Sequence, residues 1–517
     1  MTMIIEQNIP LSESRLWQAQ RDFFNEQGIH AWQKVPYFVT SNAFVGDHYA
    51  RLMVAYLEDK IRLKAIDFAE PVYLFELGTG SGQFSFYCQK ALQQLCAAHP
   101  VLHALSYCYV MTDFTHSNLD FWKTHSHFQP FLKAGTMDYA LFDLEHPAPL
   151  FLEHQQLMLT QLKNPVLLVG NYIFDSIRHD LFQVSNSALN ASYLETTCPD
   201  GDYDAATGKV LSLEKIDFHY QKVPIDAQDY PPAIMRILKY YQENLKEGEF
   251  SISTSGIAML DFFMKIAPAL FMVSSDKGLN TLQELERKHS RSLVFHGSFS
   301  FDVNFNALAQ HMRFAGGTAF MQSYRDGIKT NLFLTGNDPM PSLTAAYQQY
   351  IEGFAPADYF RFHSHIKALE KLDLHLLLSQ LTLGCDDPYV FSLFIKPVCD
   401  QIKTASPALQ TAYCDLIKRL HQHVYPMPLG TDHYFNLAFF LHTLNDYAGA
   451  LPYYQDSLHH HGERFDTLFN IGLCQYMVEN DDNARIYFEK ARLLATGDSI
   501  AQVDTWLDKM KALSKVL

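Results

Sequence analysis

Residues 71–84 read PVYLFELGTGSGQF, and this stretch decides the fold. An apolar run ends in the acid Glu76, and the helix-like segment 84–95 follows. Between them three glycines alternate: Gly78, Gly80 and Gly82. A buried strand, a glycine turn and a helix N-terminus allow a nucleotide-like ligand to approach the main chain closely.

The glycine spacing is G-x-G-x-G, with neither the G-x-G-x-x-G of dinucleotide sites nor a Walker lysine. An acid just before the first glycine is how S-adenosylmethionine enzymes meet the ammonium group of their cofactor. We therefore predict S-adenosyl-L-methionine as the cofactor, with Thr79 of the same turn among its contacts. A nicotinamide dinucleotide is the alternative, but it would require the longer glycine spacing.

Composition limits the classes of partner. The 517 residues predict two or three domains, and a net charge of −16 argues against nucleic acid as the main partner. No apolar stretch approaches the ~20 residues that span a bilayer, and the N-terminus lacks a secretory pattern. Eight scattered cysteines without a CxxC pair indicate reduced thiols and no metal site. We predict a cytoplasmic protein without membrane contact.

Two acids follow the next predicted strands. The apolar segment 105–113 ends in Asp113, and ligands of doubly wound sheets lie beyond the carboxyl ends of strands. We predict that Asp113 meets ribose hydroxyls, while capping of the following helix is the alternative. Asp143 would lie on the adenine side at the end of a third strand, unless it is an ordinary loop acid.

A further strand, residues 164–172, would bring Asn171 and Asp175 to the cofactor's sulfonium and the substrate. We predict these two residues as the catalytic pair. In the alternative interpretation Asn171 makes a turn and Asp175 caps a helix. Residues 182–223 then alternate between apolar and polar, which predicts a hairpin inserted beside the site.

Strand and helix signals alternate from about 71 to 335, which predicts an α/β fold: a Rossmann-like class I methyltransferase domain with the inserted hairpin. The composition shifts near 337–342, and helical periods dominate afterwards. The predicted organisation is an N-terminal helical segment (1–70), the methyltransferase domain (71–337), a helical connector (338–425) and a helical repeat domain (426–517).

The repeat is visible when residues 434–461 are aligned with 468–495 at an offset of 34. Small residues recur at matching positions: Ala438 with Gly472, and Ala450 with Ala484. This period resembles the tetratricopeptide repeat, in which small residues let two helices cross closely. We predict that the repeats bind a protein substrate or partner, or pair two copies of the chain; a purely structural role is the alternative.

Four segments resemble blocks of the MidA family of methyltransferases: residues 38–53, 75–82, 170–184 and 303–309. The resemblance covers about 38–335. It implies dependence on S-adenosylmethionine, and the family's mitochondrial member methylates an arginine of a complex I subunit. By the same resemblance Glu76 and the glycines would hold the cofactor, and Asn171 and Asp175 would flank the transfer site.

This chain departs from the family pattern in three places. Tyr172 stands where the family has an acid after the asparagine, Ser81 replaces an arginine between the glycines, and Arg178 replaces a proline. We predict a methyltransferase acting on a protein side chain, with arginine as one candidate. Asp175 would orient or deprotonate the acceptor nitrogen. A cofactor-binding scaffold without turnover and a small-molecule methyltransferase are the alternatives.

Overall fold

A computed structural model describes residues 2–33, 38–199, 201, 203–204, 209–210, 215–226, 228–287, 294–295, 299–428 and 430–513. The chain forms two compact units, Met1–Arg361 and Phe362–Leu517. This division lies beyond the composition shift near 337–342, and the domain boundary predicted there stays a prediction. In the described part of the chain, no helix has both the length and the apolar character that crossing a membrane requires.

The first half of the first unit contains, in chain order, β1 (Thr2–Ile9), α1 (Arg15–Gln27), α2 (Ala43–Arg62), β2 (Val72–Glu76), α3 (Gln83–Ala98), β3 (Tyr107–Asp113), α4 (His116–Thr124), α5 (Gln129–Lys133), β4 (Met137–Leu141), β5 (Leu150–Leu152), β6 (Leu157–Leu159) and β7 (Val166–Val169). The second half contains β8 (Asp180–Ser185), β9 (Ala188–Pro199), β10 (Tyr203–Asp204), β11 (Lys209–Val210), β12 (Asp217–Pro224), α6 (Pro232–Asn244), β13 (Glu247–Ile252), α7 (Thr254–Ile266), β14 (Leu270–Leu279), α8 (Leu282–Arg287), β15 (Val294–Phe295), β16 (Phe299–Ser300), β17 (Val303–Asn304), α9 (Phe305–Phe314), β18 (Thr318–Phe320), β19 (Ile328–Leu334) and α10 (Pro341–Tyr347).

The remaining elements are helical: a π-helical turn (Gln348–Glu352), α11 (Pro356–Lys367), α12 (Leu374–Leu383), α13 (Pro388–Leu393), α14 (Ile395–Ile402), α15 (Pro407–His421), α16 (His433–Thr443), α17 (Tyr447–His461), α18 (Phe465–Met477), α19 (Asp481–Leu494) and α20 (Asp498–Leu513).

A mixed sheet forms the centre of the first unit, with strand order β4-β3-β2-β7-β14-β19-β18. Strands β4, β3, β2, β7 and β14 are parallel, and β19 runs antiparallel to both β14 and β18. Numbered along the chain, these seven strands are ordered 3-2-1-4-5-7-6. This order with its antiparallel seventh strand is that of class I methyltransferases, so the predicted fold class is confirmed.

The sheet explains why residues 71–84 organise the molecule. All five residues of β2 are buried, as expected for a central parallel strand, and the strand order reverses between β2 and β7. In sheets of this kind ligands bind at such a reversal, beyond the carboxyl ends of the strands. The turns after β2, β3 and β7 therefore meet at one edge. Below that edge Phe75, Leu168 and Met272 are buried in the same core as Phe263 and Leu308 from two helices.

The predicted hairpin insertion is part of a larger antiparallel sheet. Strands β8 and β9 are joined by a two-residue turn, Asn186 and Ser187, whose φ angles of 50° and 62° suit a tight hairpin. Strands β1, β12 and β13 complete this sheet. Residues 198–208, which the sequence places between the strand-like runs of this insertion, fall partly outside the described residues.

Several predicted element boundaries are wrong. The helical period of residues 48–66 predicts a helix that begins at His48, but α2 begins at Ala43. The Asn42 side chain accepts from the Val45 N–H at 3.0 Å and caps the helix there. Residues 231–250, which begin with two prolines, predict a helix that stops near Gly248, but α6 ends at Asn244 and β13 follows it. Strands β1, β13 and β19 were not predicted, since each becomes a strand only through pairing with a distant partner.

In the second unit α16 packs on α17, and α18 on α19. A Cβ atom at Gly472 would lie 2.8 Å from the Phe488 ring, so this small residue permits the close approach that the repeat pattern predicts. The matching residues Ala450 and Ala484 are fully buried. The assignment to the tetratricopeptide family itself stays a prediction.

Candidate functional site

A cavity of about 380 Å³ lies at the carboxyl ends of the parallel strands. Its volume is in the range of roughly 300–1,000 Å³ that small-molecule sites occupy. We call the walls after β2, β3 and β4 the glycine end: Glu76, Gly78, Thr79, Asp113 and Asp143. We call the walls after β7 and within β14 the asparagine end: Asn171, Tyr172, Asp175 and Lys277.

The cavity thus brings together seven of the nine residues predicted for the site. The other two, Gly80 and Gly82, do not line it. They belong to the turn behind its wall. The functional roles of all nine remain predictions.

The glycine turn requires glycine for both conformation and space. Gly78 and Gly80 have φ of 62° and 59°, where other residues are strained. A Cβ at Gly78 would lie 2.4 Å from Ile173, and one at Gly80 would lie 2.1 Å from the Trp32 ring. The turn is therefore tightly enclosed by side chains from two other segments.

Glu76 is a buried carboxylate that lines the cavity. Its Oε2 accepts hydrogen bonds from the Ser85 hydroxyl and from the Tyr109 hydroxyl, the latter at 2.8 Å. Burial raises the pKa of Glu76 to about 7, although these two donors oppose the rise. A positive charge placed beside Oε1 would stabilise the ionised form.

Asp113 holds the glycine turn against the end of β3. It accepts from the Gly80 N–H at 3.1 Å, from the Asn118 amide at 2.9 Å and from both the N–H and the hydroxyl of Thr115. Burial nonetheless raises its pKa. The alternative interpretation is that Asp113 caps the following helix. The N-cap residue of α4 is Thr115, and Asp113 accepts the two hydrogen bonds that Thr115 donates.

Asp143 is paired with an arginine that the sequence did not single out. Arg21 of α1 donates from Nη1 and Nη2 to the two carboxylate oxygens at 3.0 and 2.9 Å. Burial pushes the pKa of Asp143 up, but hydrogen bonds from Arg21 and His146 outweigh burial and hold it below its usual value. The Arg21 guanidinium also lies 4.5 Å from the centre of the Phe114 ring. Hence a guanidinium lies where the sequence places the adenine side.

The Asn171 side chain is held by two donors. Its Oδ1 accepts from the Tyr49 hydroxyl at 2.8 Å and from the Ser275 N–H at 3.1 Å. The Tyr49 hydroxyl also contacts the Ser275 hydroxyl, which contacts Thr330 at 2.6 Å. Tyr49 and Ser275 are fully buried, so this network lies behind the cavity wall.

Asp175 is adjacent to a second buried acid, Asp276. The Asp175 N–H donates to Asp276 Oδ2 at 3.3 Å, and the Ser176 hydroxyl donates to Asp175 Oδ1. Burial raises the pKa of both carboxyl groups, and their proximity raises that of Asp276 further. The interpretation of Asp175 as a helix cap is wrong, because no helix begins there. The apolar run 269–276 predicts a strand that ends in Asp276, but no local pattern shows that this acid meets Asp175, 101 residues earlier.

The N-terminal segment forms one wall of the cavity rather than a separate element. Trp17, Gln20, Arg21 and Phe24 of α1 line the cavity, as does Trp32. The Gln20 amide donates to the Ser176 carbonyl at 3.0 Å and so joins α1 to the asparagine end. Composition alone did not reveal this role, since the segment reads as an ordinary amphipathic helix.

No protein-family model matches the chain, and no curated protein matches it. Among solved structures, an uncharacterized protein from Burkholderia thailandensis is 13% identical and covers 65% of this chain and 90% of its own, with a TM-score of 0.42. A further protein from that organism, bound to S-adenosyl-homocysteine, has the same identity and coverages and a TM-score of 0.43. DhpI in complex with SAH is 8% identical and covers 62% of this chain and 98% of its own, with a TM-score of 0.27.

Proposed function

We propose that this chain is an S-adenosylmethionine-dependent methyltransferase that acts on a protein side chain. The observation that carries the proposal is the cavity at the reversal of strand order. A buried Glu76 and the glycine turn open into it in a sheet ordered 3-2-1-4-5-7-6. The strand order supports the class of fold, and the chemistry of the glycine end supports the cofactor.

The residues present fit such a cofactor. Glu76 would face its ammonium group, the backbone around Gly78 and Thr79 would approach it closely, and Asp113 would meet ribose hydroxyls. The adenine would lie near Phe114 and Asp143, where it would share the space with Arg21. When bound, the cofactor supplies a methyl group on a positively charged sulfur, which is an electrophile.

The work of the chain is then to position groups and exclude water. Helix α1 and Trp32 wall the cavity, and the asparagine end would hold the acceptor. The helix pairs of the second unit would recruit the protein that carries the acceptor, or pair two copies of the chain. The MidA resemblance implies an arginine acceptor, but Tyr172 replaces the acid that would help bind a guanidinium, so arginine is not part of this proposal.

The test is cofactor binding by calorimetry with wild type and Gly78→Val. Valine would be strained at a φ of 62° and would collide with Ile173, so we expect binding to fall by at least about a hundredfold. Gly135→Val is the matched control, because Gly135 has a φ of 69° but open space around a Cβ. A wild type that binds neither S-adenosylmethionine nor S-adenosylhomocysteine would contradict the proposal.

A second candidate is a scaffold that binds the cofactor without turnover, which Tyr172 in place of the family's acid favours. Transfer of labelled methyl to any protein fraction separates the two functions. Cofactor binding without any labelled product favours the scaffold.

A further inference from the structure

The asparagine end offers hydrogen-bond donors to the cavity. A backbone N–H can only donate, so the contact from Ser275 identifies the Asn171 atom it meets as the carbonyl oxygen. The Tyr49 hydroxyl donates to the same oxygen. The amide Nδ2 is the group that Asn171 has left, and among the described residues none accepts from it. Because Asn171 lines the cavity, these N–H groups are the donors that its side chain has to offer there.

Tyr172 and Lys277 add two more donors. Tyr172 lines the cavity in a left-handed conformation with a φ of 53°, and burial raises its pKa above the usual value, so its hydroxyl keeps its proton. Lys277 lines the same cavity, and its ammonium can only donate. Its charge opposes the rise that burial causes in the pKa of Asp175, although no ion pair within 4.0 Å joins it to a carboxylate of the described residues. Where the MidA family has an acid, this chain has a phenol, and Lys277 lines the same cavity.

The acids of this region are already engaged. Glu145 accepts from the Arg178 N–H at 2.9 Å and from its Nε at 3.1 Å. Asp175 accepts from Ser176 and adjoins Asp276. A guanidinium acceptor is best held by two carboxylate oxygens at once. Such an acceptor would have to displace existing contacts.

We propose that the methyl acceptor is a carboxylate oxygen, held by the Asn171 amide, the Tyr172 hydroxyl and the Lys277 ammonium. This rests on the proposed function. The acceptor oxygen forms a bond to the methyl carbon with its own electron pair, and the carbon–sulfur bond breaks with its pair left on sulfur. The products are a methyl ester and S-adenosylhomocysteine. A carboxylate carries no proton to remove, so the reaction needs no base.

Binding of matched probes tests the assignment. The probes are acetyl-glutamate methylamide and its glutamine, lysine and arginine counterparts. They are titrated into the protein saturated with S-adenosylhomocysteine, so that the probe's carboxylate cannot bind in place of the cofactor's own carboxylate. We expect the glutamate probe to bind at least about tenfold more tightly than the isosteric glutamine probe. Glutamate binding no tighter than glutamine, or a preference for the lysine or arginine probe, would overturn the proposal.

Variants locate the contact. Lys277→Met and Tyr172→Phe should each lower the affinity for the glutamate probe by about tenfold and leave the affinity for S-adenosylhomocysteine unchanged. Lys277→Arg keeps the positive charge and should retain binding of the probe. Lys265→Met, at an exposed lysine of α7, is the control. If Lys277→Met instead weakens the binding of S-adenosylhomocysteine and leaves the binding of the glutamate probe unchanged, the lysine holds the cofactor and the proposal fails.

The product gives a second, independent readout. With methyl-labelled cofactor, label on a protein or probe should be released as methanol by mild alkali, because esters hydrolyse there and N-methyl groups do not. Alkali-stable label would overturn the carboxylate assignment and leave the methyltransferase standing. Failure of the wild type to bind S-adenosylhomocysteine would instead refute both.

Discussion

The two ends of the cavity hold their charged groups in opposite ways. At the glycine end Glu76 is buried beside neutral donors only, and its pKa of about 7 leaves it ready to gain from a positive charge. At the asparagine end the acids Asp175 and Asp276 adjoin each other, and the lining groups other than Asp175 are donors. One cavity can therefore attract a cation at one end and an anion at the other.

The two ends also differ in how the chain builds them. The glycine end comes mainly from one β-turn-α segment and the strand after it. The asparagine end needs α2, the loop after β7 and the end of β14, which meet only in the folded sheet. The following predictions, from the largest expected effect to the smallest, test whether a substitution at one end changes ligand binding at that end and leaves binding at the other end unchanged.

Glu76→Gln should weaken cofactor binding by about a hundredfold, because it removes the negative charge opposite the ammonium group. The same change should raise the free energy of unfolding at pH 8 by about 2–3 kcal/mol, since the ionised Glu76 is buried there with a pKa near 7. Calorimetry and chemical denaturation measure the two effects. Glu243→Gln, at an exposed site on α6, is the control. An unchanged cofactor affinity in Glu76→Gln would contradict the assignment of Glu76 as the residue that binds the ammonium group.

Wild-type cofactor affinity should fall by up to about tenfold per pH unit below pH 7. The ionised form of Glu76 binds the ammonium group, and its pKa of about 7 means that the acid is protonated at lower pH and must lose that proton on binding. Titrations between pH 5.5 and 8.5 measure this slope, and Glu76→Gln should lack it. A slope that survives in Glu76→Gln would assign the proton to another group.

Asp276→Asn should raise the free energy of unfolding by about 1–2 kcal/mol at pH 8 and by less at pH 5. The folded pair holds its proton to a higher pH than the unfolded chain does, so wild-type stability declines as pH rises above the ordinary aspartate value. Asparagine removes the second acid and with it that decline. Denaturation curves at both pH values measure the difference, and parallel pH profiles for the two proteins would contradict a coupled pair. Cofactor affinity should not change.

Tyr49→Phe should lower the free energy of unfolding by about 1 kcal/mol and weaken acceptor binding about threefold, because Asn171 loses one of its two donors and keeps the Ser275 N–H. Tyr56→Phe is a matched control on the same helix, since the buried Tyr56 hydroxyl has no hydrogen-bond partner among the described residues. Equal effects of the two changes would show that the Tyr49 hydroxyl does not orient Asn171.

The sequence predicts the glycine end of the cavity more completely than it predicts the asparagine end. The strand, the glycine turn and the acids after β2 and β3 were predicted because each is encoded within a few residues, by burial period and by the need for glycine at positive φ. The asparagine end was predicted by residue and not by arrangement. The orientation of Asn171 depends on Tyr49, 122 residues earlier, and on Ser275, 104 residues later. A pattern in one sequence carries no information about such a distant partner.

By itself the sequence determined the α/β class and the position of the glycine turn, because these depend on local backbone geometry and hydrophobic period. Only the tertiary structure decided which polar groups remain available. It paired Arg21 with Asp143, placed Asp276 beside Asp175 and engaged the Asn171 carbonyl oxygen, so that the amide N–H groups of Asn171 are left. A hydrogen bond is directional and short, so which donors and acceptors stay free is settled only when distant segments pack.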